Sequence, residues 1–276
     1  MTDTMKPKTL CAIALAAAAF VGASSSHAAE WSDTSVGYRY GTKFAEPYNP
    51  NDIQKNILNF THASGYKYGS NFVNVDFLMS DSKENSAHEI YVVYRHTLDL
   101  GKVTGKSFAF GPVKGLGLTA GFDVNTKSGD NYESKKRMLV LGPTLFVDVP
   151  GFLSVSLLLL EESNKPRTLT TGRYTYDTHP MLNLAWGIPV GKTLFSFEGY
   201  MNYIASKGKN EFGGPTSPET NIDATLWYDV GTATGLGKNS VRLGVGYQYW
   251  RNKFGNPHNV VGSEAKTPML RADFHF

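Results

Sequence analysis

Cysteine is almost missing from this chain of 276 residues, and the only one, Cys11, lies near its start. Cys11 lies in a segment that we expect to be removed on export, so the mature chain is expected to have no disulfide, thiolate nucleophile or cysteine-based metal site. Long hydrophobic runs are missing as well. After residue 28 no stretch approaches the roughly 18 apolar residues that a membrane-spanning helix needs, so the sequence excludes a helical membrane protein.

Neither sign of charge dominates, because 27 Lys and Arg face 24 Asp and Glu, for a formal net charge of +3. No basic tract with interleaved aromatic residues occurs, which argues against a nucleic-acid partner. Metal-ligand spacing is missing too. His88, Glu89 and His96 do not have the i, i+4 arrangement of a zinc peptidase helix, so the sequence predicts neither a metal nor a cofactor.

The first 28 residues are typical of a secretory signal peptide. Lys6 and Lys8 supply its positive start, and Leu10–Ala23 is an apolar stretch too short to span a membrane as a helix. Small residues follow, and we expect cleavage after Ala28 or Ala29. Residues 29–276 then form a single exported domain.

The remaining chain is rich in apolar residues at every second position, the period of a β-strand with two different faces. In Val241–Tyr249 the odd positions are apolar, while Arg242 and Gln248 lie on the other face. Twelve such segments are expected: Ser32–Phe44, Asn56–Tyr68, Ser70–Ser80, His88–Asp99, Val113–Lys127, Lys136–Val149, Phe152–Asn164, Tyr174–Pro189, Thr193–Lys207, Glu219–Val230, Ser240–Lys253 and Thr267–Phe276. An even number of strands with short and long connections in alternation predicts a twelve-stranded antiparallel transmembrane β-barrel of the bacterial outer membrane.

The end of the chain supports this location. Leu270, Ala272, Phe274 and Phe276 share one face of the last predicted strand. A terminal Phe on such a strand is similar to the signal that outer-membrane barrels present to their assembly machinery. Lipopolysaccharide and other outer-membrane lipids are then expected around the barrel. Two connections on the periplasmic side, 101–112 and 231–239, are longer than usual, and the sequence offers no account of them.

The inward faces of the predicted strands combine charged side chains with aromatic rings. Aromatic faces beside hydrogen-bonding groups suit a solute with a flat ring and polar edges, because stacking contributes roughly 1 to 3 kcal/mol per base. The alternative interpretation is that the charges only pair across the lumen. The predicted inward residues are Arg39, Lys43, Asp76, Glu89, Tyr91, Arg95, Asp123, Phe146, Glu162, Glu198, Tyr200, Asp223, Trp227, Asp229, Arg242, Trp250, Arg271 and Asp273.

Several stretches of the chain are similar to the Tsx-like family of nucleoside-specific channel-forming outer-membrane proteins. They are Val36–Phe44, Tyr66–Asp76, Arg95–Leu98 with the Phe108–Pro112 turn, Val245–Trp250 and the terminal Phe276. The resemblance covers nearly all of residues 29–276 at low identity. It implies a monomeric twelve-stranded barrel that admits nucleosides by passive, substrate-selective uptake, with a weak binding site in the pore.

The resemblance also implies a site near the end of the first strand. A basic residue and a phenylalanine of the family's constriction match Lys43 and Phe44, while Ala45 stands where the family commonly has glycine. Strict alternation points Lys43 inward and Phe44 outward, so the resemblance implies a β-bulge between them. Further candidates for solute binding are Glu89, Tyr91, Arg95, Trp227 and Trp250.

Two alternatives from other classes remain open. An outer-membrane lipid hydrolase could use His62 and Ser64, whose side chains share one strand face, although no orienting third residue can be named. A non-specific small porin would also fit the strand pattern, although a barrel of this size leaves only a narrow channel. We expect a channel with no catalytic residues. The external loops are candidate receptors for phages or bacteriocins.

Overall fold

The computed structural model describes residues 29–170 and 172–276, so the predicted signal peptide lies outside the described residues. Strands account for most of this part of the chain. They are β1 (Trp31–Phe44), β2 (Ile53–Tyr66), β3 (Gly69–Ser80), β4 (His88–Asp99), β5 (Val113–Ser128), β6 (Arg137–Val147), β7 (Phe152–Asn164), β8 (Tyr174–Thr175), β9 (His179–Pro189), β10 (Phe195–Ile204), β11 (Glu219–Asp229), β12 (Val241–Arg251) and β13 (Ala265–His275).

Twelve of these strands close into one antiparallel barrel. Each pairs with its neighbours in sequence, β7 pairs with both β6 and β9, and β1 pairs with β13 to complete the ring. The two residues of β8 pair only with the end of β7. The predicted twelve-stranded fold is confirmed. The eighth predicted segment, Tyr174–Pro189, is divided into β8 and β9 because residues 176–178 between them are not part of a strand.

The outer surface of the barrel is apolar and the inner surface is polar. On β12, Leu243 and Val245 are exposed, while Arg242, the residue before Leu243, is buried. The same alternation places Leu139, Leu141, Leu157 and Leu159 outside. An apolar exterior around a polar interior is the arrangement of a transmembrane β-barrel. No helix among the described residues is both long and apolar enough to cross a membrane.

The barrel ends differ in their connections. The end where β1 begins and β13 finishes has tight turns such as Lys67–Tyr68, and the opposite end has longer loops such as 205–218. We take the first end as periplasmic, since bacterial barrels have short periplasmic turns and longer extracellular loops.

The two long periplasmic connections contain short helices, Leu100–Thr104 and Val230–Thr234. The Asp99 and Asp229 carboxylates cap them by accepting hydrogen bonds from the amides of Lys102 and Thr232, at 3.1 and 2.8 Å. Gly105 and Gly235 end them at φ +69° and +78°, a backbone conformation that favours glycine. The repeated Asp-x-Gly-x-x-Thr-Gly pattern therefore explains connections for which alternation gave no account.

A β-bulge lies near the extracellular end of β1. The pairing of β1 with β2 changes register between Gly41 and Phe44, so that Phe44 points into the barrel. Phe44 is buried there with Ile53, Ile57 and Met269. The bulge implied by the family resemblance is therefore present in the structure, although it places the two residues opposite to what strict alternation predicts.

Candidate functional site: the barrel lumen

One side of the lumen is apolar. Met138 and Val140 of β6, Leu158 and Leu160 of β7, and Met181 of β9 form a buried cluster on the inner wall. The Tyr91 ring on β4 packs against this cluster. We call these five residues the apolar wall. Their side chains offer no hydrogen bond, so they form a packed apolar support behind the Tyr91 ring.

The rest of the middle lumen carries charges in pairs. The Arg271 guanidinium donates to both carboxylate oxygens of Asp223, at 2.7 and 2.8 Å, and both side chains are buried. Arg39 pairs with Asp76 at 3.2 Å. Such pairing satisfies buried charges and leaves little net charge of either sign facing a solute.

The same pattern continues at the periplasmic end. Arg242 donates to Glu198 at 2.6 Å and to Asp273 at 3.3 Å, and its guanidinium lies 4.6 Å from the centre of the Trp227 ring. Trp227 is buried beneath it. The periplasmic ion pairs are therefore covered on one side by an aromatic face.

Two tyrosines and an arginine lie between these regions. The Tyr91 hydroxyl donates to Asp123 at 3.0 Å, and Arg95 donates to the same carboxylate. Tyr200 accepts a hydrogen bond of 3.4 Å from the Asn221 amide. β4 and β10, which carry the tyrosines, are five strands apart one way around the ring and seven the other. Polar groups and rings thus face each other across the lumen beside the apolar wall.

One aromatic ring on the periplasmic side of the lumen is accessible, in contrast to the charged residues at the opposite end. Phe72 shares the inward face of Arg95 in the register of β3 and β4, and it is 39% exposed. At the other end, Lys55 and Glu84 are 2% and 4% exposed. A solute can therefore reach the Phe72 ring, whereas the Lys55 and Glu84 side chains are covered.

A cluster of charges fills the extracellular end. The Lys55 ammonium lies 2.9 Å from Glu46 and 2.9 Å from Glu84, and Lys253 donates to Glu46 at 3.0 Å. Lys127 also contacts Glu46, at 3.6 Å, and pairs with Glu84. We call these five residues the mouth cluster. It joins three extracellular loops to β2 and β5, because Glu46, Glu84 and Lys253 each lie in a different loop.

Electrostatics within the mouth cluster favours its ionised form. Burial opposes ionisation of Glu46, but Lys127, Lys253 and Lys55 outweigh it and hold the pKa of this carboxyl well below its usual range. Burial lowers the pKa of Lys253, despite the nearby Glu46 carboxylate. The three buried ammonium groups of the mouth cluster therefore remain charged only because the carboxylates of Glu46 and Glu84 lie beside them.

The turn Lys253–Gly255 extends this cluster across the mouth. Phe254, at φ +60°, lies 3.6 Å from the Lys136 ammonium, measured to the ring centre, on the far side of the ring of strands. Lys253 lies 4.6 Å from the ring centre of Trp250, whose indole N–H donates to Glu219 at 2.6 Å. The turn thus places an aromatic ring between ammonium groups from opposite walls.

The predicted site residues fall in different parts of the barrel. Tyr91 and Arg95 are brought together around Asp123. Trp227 lies near the periplasmic end and Trp250 near the extracellular end, so these two do not share a site. Glu89 is inward and accepts a hydrogen bond from Asn125.

Lys43 and Phe44 do not form a joint site in the structure. Phe44 is inside, in its apolar cluster, with Lys55 5.9 Å from its ring centre. Lys43 is exposed beside the bulge, and its backbone carbonyl accepts a hydrogen bond of 2.7 Å from Thr267. The inward position predicted for Lys43 is wrong, because the bulge removes it from the strand alternation.

The hydrolase candidates lie on the outer face of β2. His62 is paired in register with Thr34, whose hydroxyl lies 2.8 Å from the imidazole Nδ1. Lys55, Asn59 and the other inward residues of β2 have the opposite parity. His62 is therefore bound to a threonine on the barrel exterior rather than oriented toward Ser64.

Sequence reasoning missed the loop residues of the mouth. Glu46, Glu84 and Phe254 lie outside the strands, where no periodicity assigns a side chain to either surface. Only the positive φ of Phe254, which a sequence does not reveal, turns its ring into the barrel. In the sequence, only Gly255, directly after Phe254, indicates a turn at this point.

The strand pairing and the two-faced wall define this protein as a transmembrane β-barrel with a polar lumen. Solved structures of similar form include the KdgM porin, with 13% identity and a TM-score of 0.44 over 88% of this chain and 99% of that chain. A structure of the NanC porin has 10% identity and a TM-score of 0.47 over 88% and 99%.

The high-pH structure of Pseudomonas putida OprB has 8% identity and a TM-score of 0.36, over 90% of this chain and 94% of that chain. Likeness of this degree carries no inference about the solute, and the fold class rests on the pairing of the strands. No family model and no curated protein matches the sequence.

Proposed function

We propose that this barrel is an outer-membrane channel for passive, selective uptake of nucleosides or similar small solutes with an aromatic ring and a polar part. The observation that carries the proposal is a partly exposed aromatic ring beside polar groups in the middle lumen. The Tyr91 ring offers surface to a solute ring, while Asp123 and Arg95 beside it offer hydrogen bonds to the polar edges of that solute. The family resemblance of the sequence points to the same solute class.

The charge pattern supports a neutral solute. A channel for acidic solutes needs cationic groups free to face them, whereas here Arg39, Arg242 and Arg271 are each paired with carboxylates. Nucleosides are uncharged, so selection among them depends on stacking and on hydrogen bonds to the sugar and base. A weak site of this kind raises flux at low concentration as long as release stays fast.

The test is single-channel conductance of the purified barrel in a planar bilayer during titration with adenosine or thymidine. We expect saturable block by both nucleosides and none by glucose. Tyr91→Ala should weaken the block about tenfold, because stacking contributes roughly 1 to 3 kcal/mol per base.

The matched control is Tyr38→Ala, which removes an exposed tyrosine from the outer surface of the barrel and should leave the block unchanged. Conductance without any nucleoside effect would overturn the solute class while leaving a small porin. If no conductance were found at all, the channel itself would be overturned.

A further inference from the structure

Two arginines meet on the outer wall of the barrel at its extracellular end. Arg137 begins β6, is exposed, and is paired in register with Ser163 of β7. Ser163 is in turn paired with Thr175 of β8 on its other side. The strand residues Arg137, Ser163 and Thr175 therefore form a row across the wall at one height.

Arg173 crosses the same place. Its guanidinium donates to the carbonyl of Lys135 at 2.6 Å and to that of Ser163 at 3.4 Å, so the side chain reaches over the end of β7 toward β6. Partial burial, together with the neighbouring Arg137, lowers the pKa of Arg173. Among the described residues, neither arginine forms an ion pair with a carboxylate, so two like charges stand side by side.

A groove of about 440 Å³ is lined by Arg137 and by Ser163, the residue whose carbonyl accepts a hydrogen bond from Arg173. Arg137, Ser163 and Thr175 line its upper part, and Phe122, Val124 and Leu139 line it further toward the membrane. Glu161 also borders the groove. Leu141, Leu157 and Leu159 continue the apolar surface below, and each is more than half exposed.

We infer that this groove is a binding site for a phosphorylated glycolipid of the outer leaflet, with its phosphate on Arg137 and Arg173 and an acyl chain along the leucines. Planar guanidinium groups bind phosphate oxygens in pairs, and an anion between them relieves their mutual repulsion. The apolar lining begins where the acyl region of the lipid begins. A soluble anion would use the arginines but gain nothing from the leucines.

The position of the groove at the extracellular end indicates that its ligand is a lipid of the outer leaflet. Long loops mark this end of the barrel. The exposed residues that line the groove, Phe122, Val124 and Leu139, belong to the outer face, while Asp123, Met138 and Glu162 between them are buried. The site is thus separate from the solute path, and its occupant is a membrane component rather than a transported molecule.

The experiment measures retention of purified lipopolysaccharide by the detergent-solubilised barrel, using native mass spectrometry at increasing lipid concentration. We expect one tightly held molecule, and about tenfold weaker retention by the Arg137→Gln/Arg173→Gln variant, since charge-assisted bonds to phosphate are lost. Lipopolysaccharide treated with phosphatase should bind the unsubstituted barrel equally weakly.

The matched control is Arg251→Gln. Arg251 ends β12, is exposed at the same end, and lies five strands from β6 around the ring. It should bind the lipid like the unsubstituted barrel. Arg137→Lys/Arg173→Lys keeps the charge and should retain part of the affinity, and circular dichroism checks folding of every variant. Equal retention by the glutamine variant, or no dependence on lipid phosphate, would overturn the site.

Discussion

At the scale of single residues, Glu46 links three buried lysines of the mouth cluster. It lies in a loop, yet its carboxylate is shared by Lys55 at 2.9 Å and Lys253 at 3.0 Å. Its loss leaves the buried Lys253 ammonium without a carboxylate and leaves Lys55 with Glu84 alone. Breaking a buried ion pair costs roughly 3 to 5 kcal/mol.

Glu46→Gln should therefore lower the free energy of unfolding by several kcal/mol at neutral pH. Because the folded state holds the pKa of Glu46 well below its ordinary 4.5, the stabilisation is complete above that value and is lost only as the pH falls through the lower, folded-state pKa. The difference between the variant and the unsubstituted barrel should persist at pH 5 and shrink only in strong acid. Urea unfolding in lipid vesicles at several pH values measures it.

Glu264→Gln is the control for Glu46, because its ion pair with Lys266 is exposed to solvent. Exposed pairs contribute about 0 to 1 kcal/mol, so this variant should unfold almost like the unsubstituted barrel. An equal loss of stability in the two variants would contradict the role given to the mouth cluster.

Most inward residues were predictable from the sequence, because alternation along a strand is a geometric rule. Tyr91 and Arg95 are inward for this reason, and Asp123 meets them because β4 and β5 are neighbours in sequence. The prediction for Lys43 is wrong because the bulge adds one residue to β1, which reverses the inward and outward alternation beyond it. The loop contacts of Glu46 depend on tertiary packing, for which the sequence carries no local signal.

At the scale of elements, the turn Lys253–Gly255 controls the extracellular mouth. Its Phe254 ring lies between Lys136 and Lys253, at 3.6 and 5.1 Å from ammonium to ring centre. Strands could be predicted because their period is regular, but this turn could not, since its position depends on a left-handed backbone at Phe254.

Phe254→Gly should widen the mouth and increase single-channel conductance. Glycine adopts the positive φ of this position without strain, so the turn itself should persist. The comparison is Phe212→Gly, which removes an exposed ring from another extracellular loop and should leave conductance unchanged. If both variants conduct like the unsubstituted barrel, the ring does not limit the pore.

At the scale of the whole molecule, the apolar exterior anchors the barrel in its membrane. Leu141 lies near the middle of β6 and is 54% exposed to the surroundings of the barrel. Leu141→Arg should destabilise the barrel by about 2 to 4 kcal/mol, while the same change at Val190, in a periplasmic turn, should cost about 0 to 1 kcal/mol. Reversible unfolding in vesicles compares the two, and equal costs would contradict the assigned membrane depth.

The pairing of β1 with β13 must be the last step in closing the barrel. All other neighbours in the wall are neighbours along the chain, but these two strands meet only after everything between them has been made. Until that moment the growing sheet has two open edges whose amide and carbonyl groups no lipid can satisfy. A partly inserted sheet is therefore unstable in the bilayer, and the wall becomes free of open edges only when β13 pairs with β1.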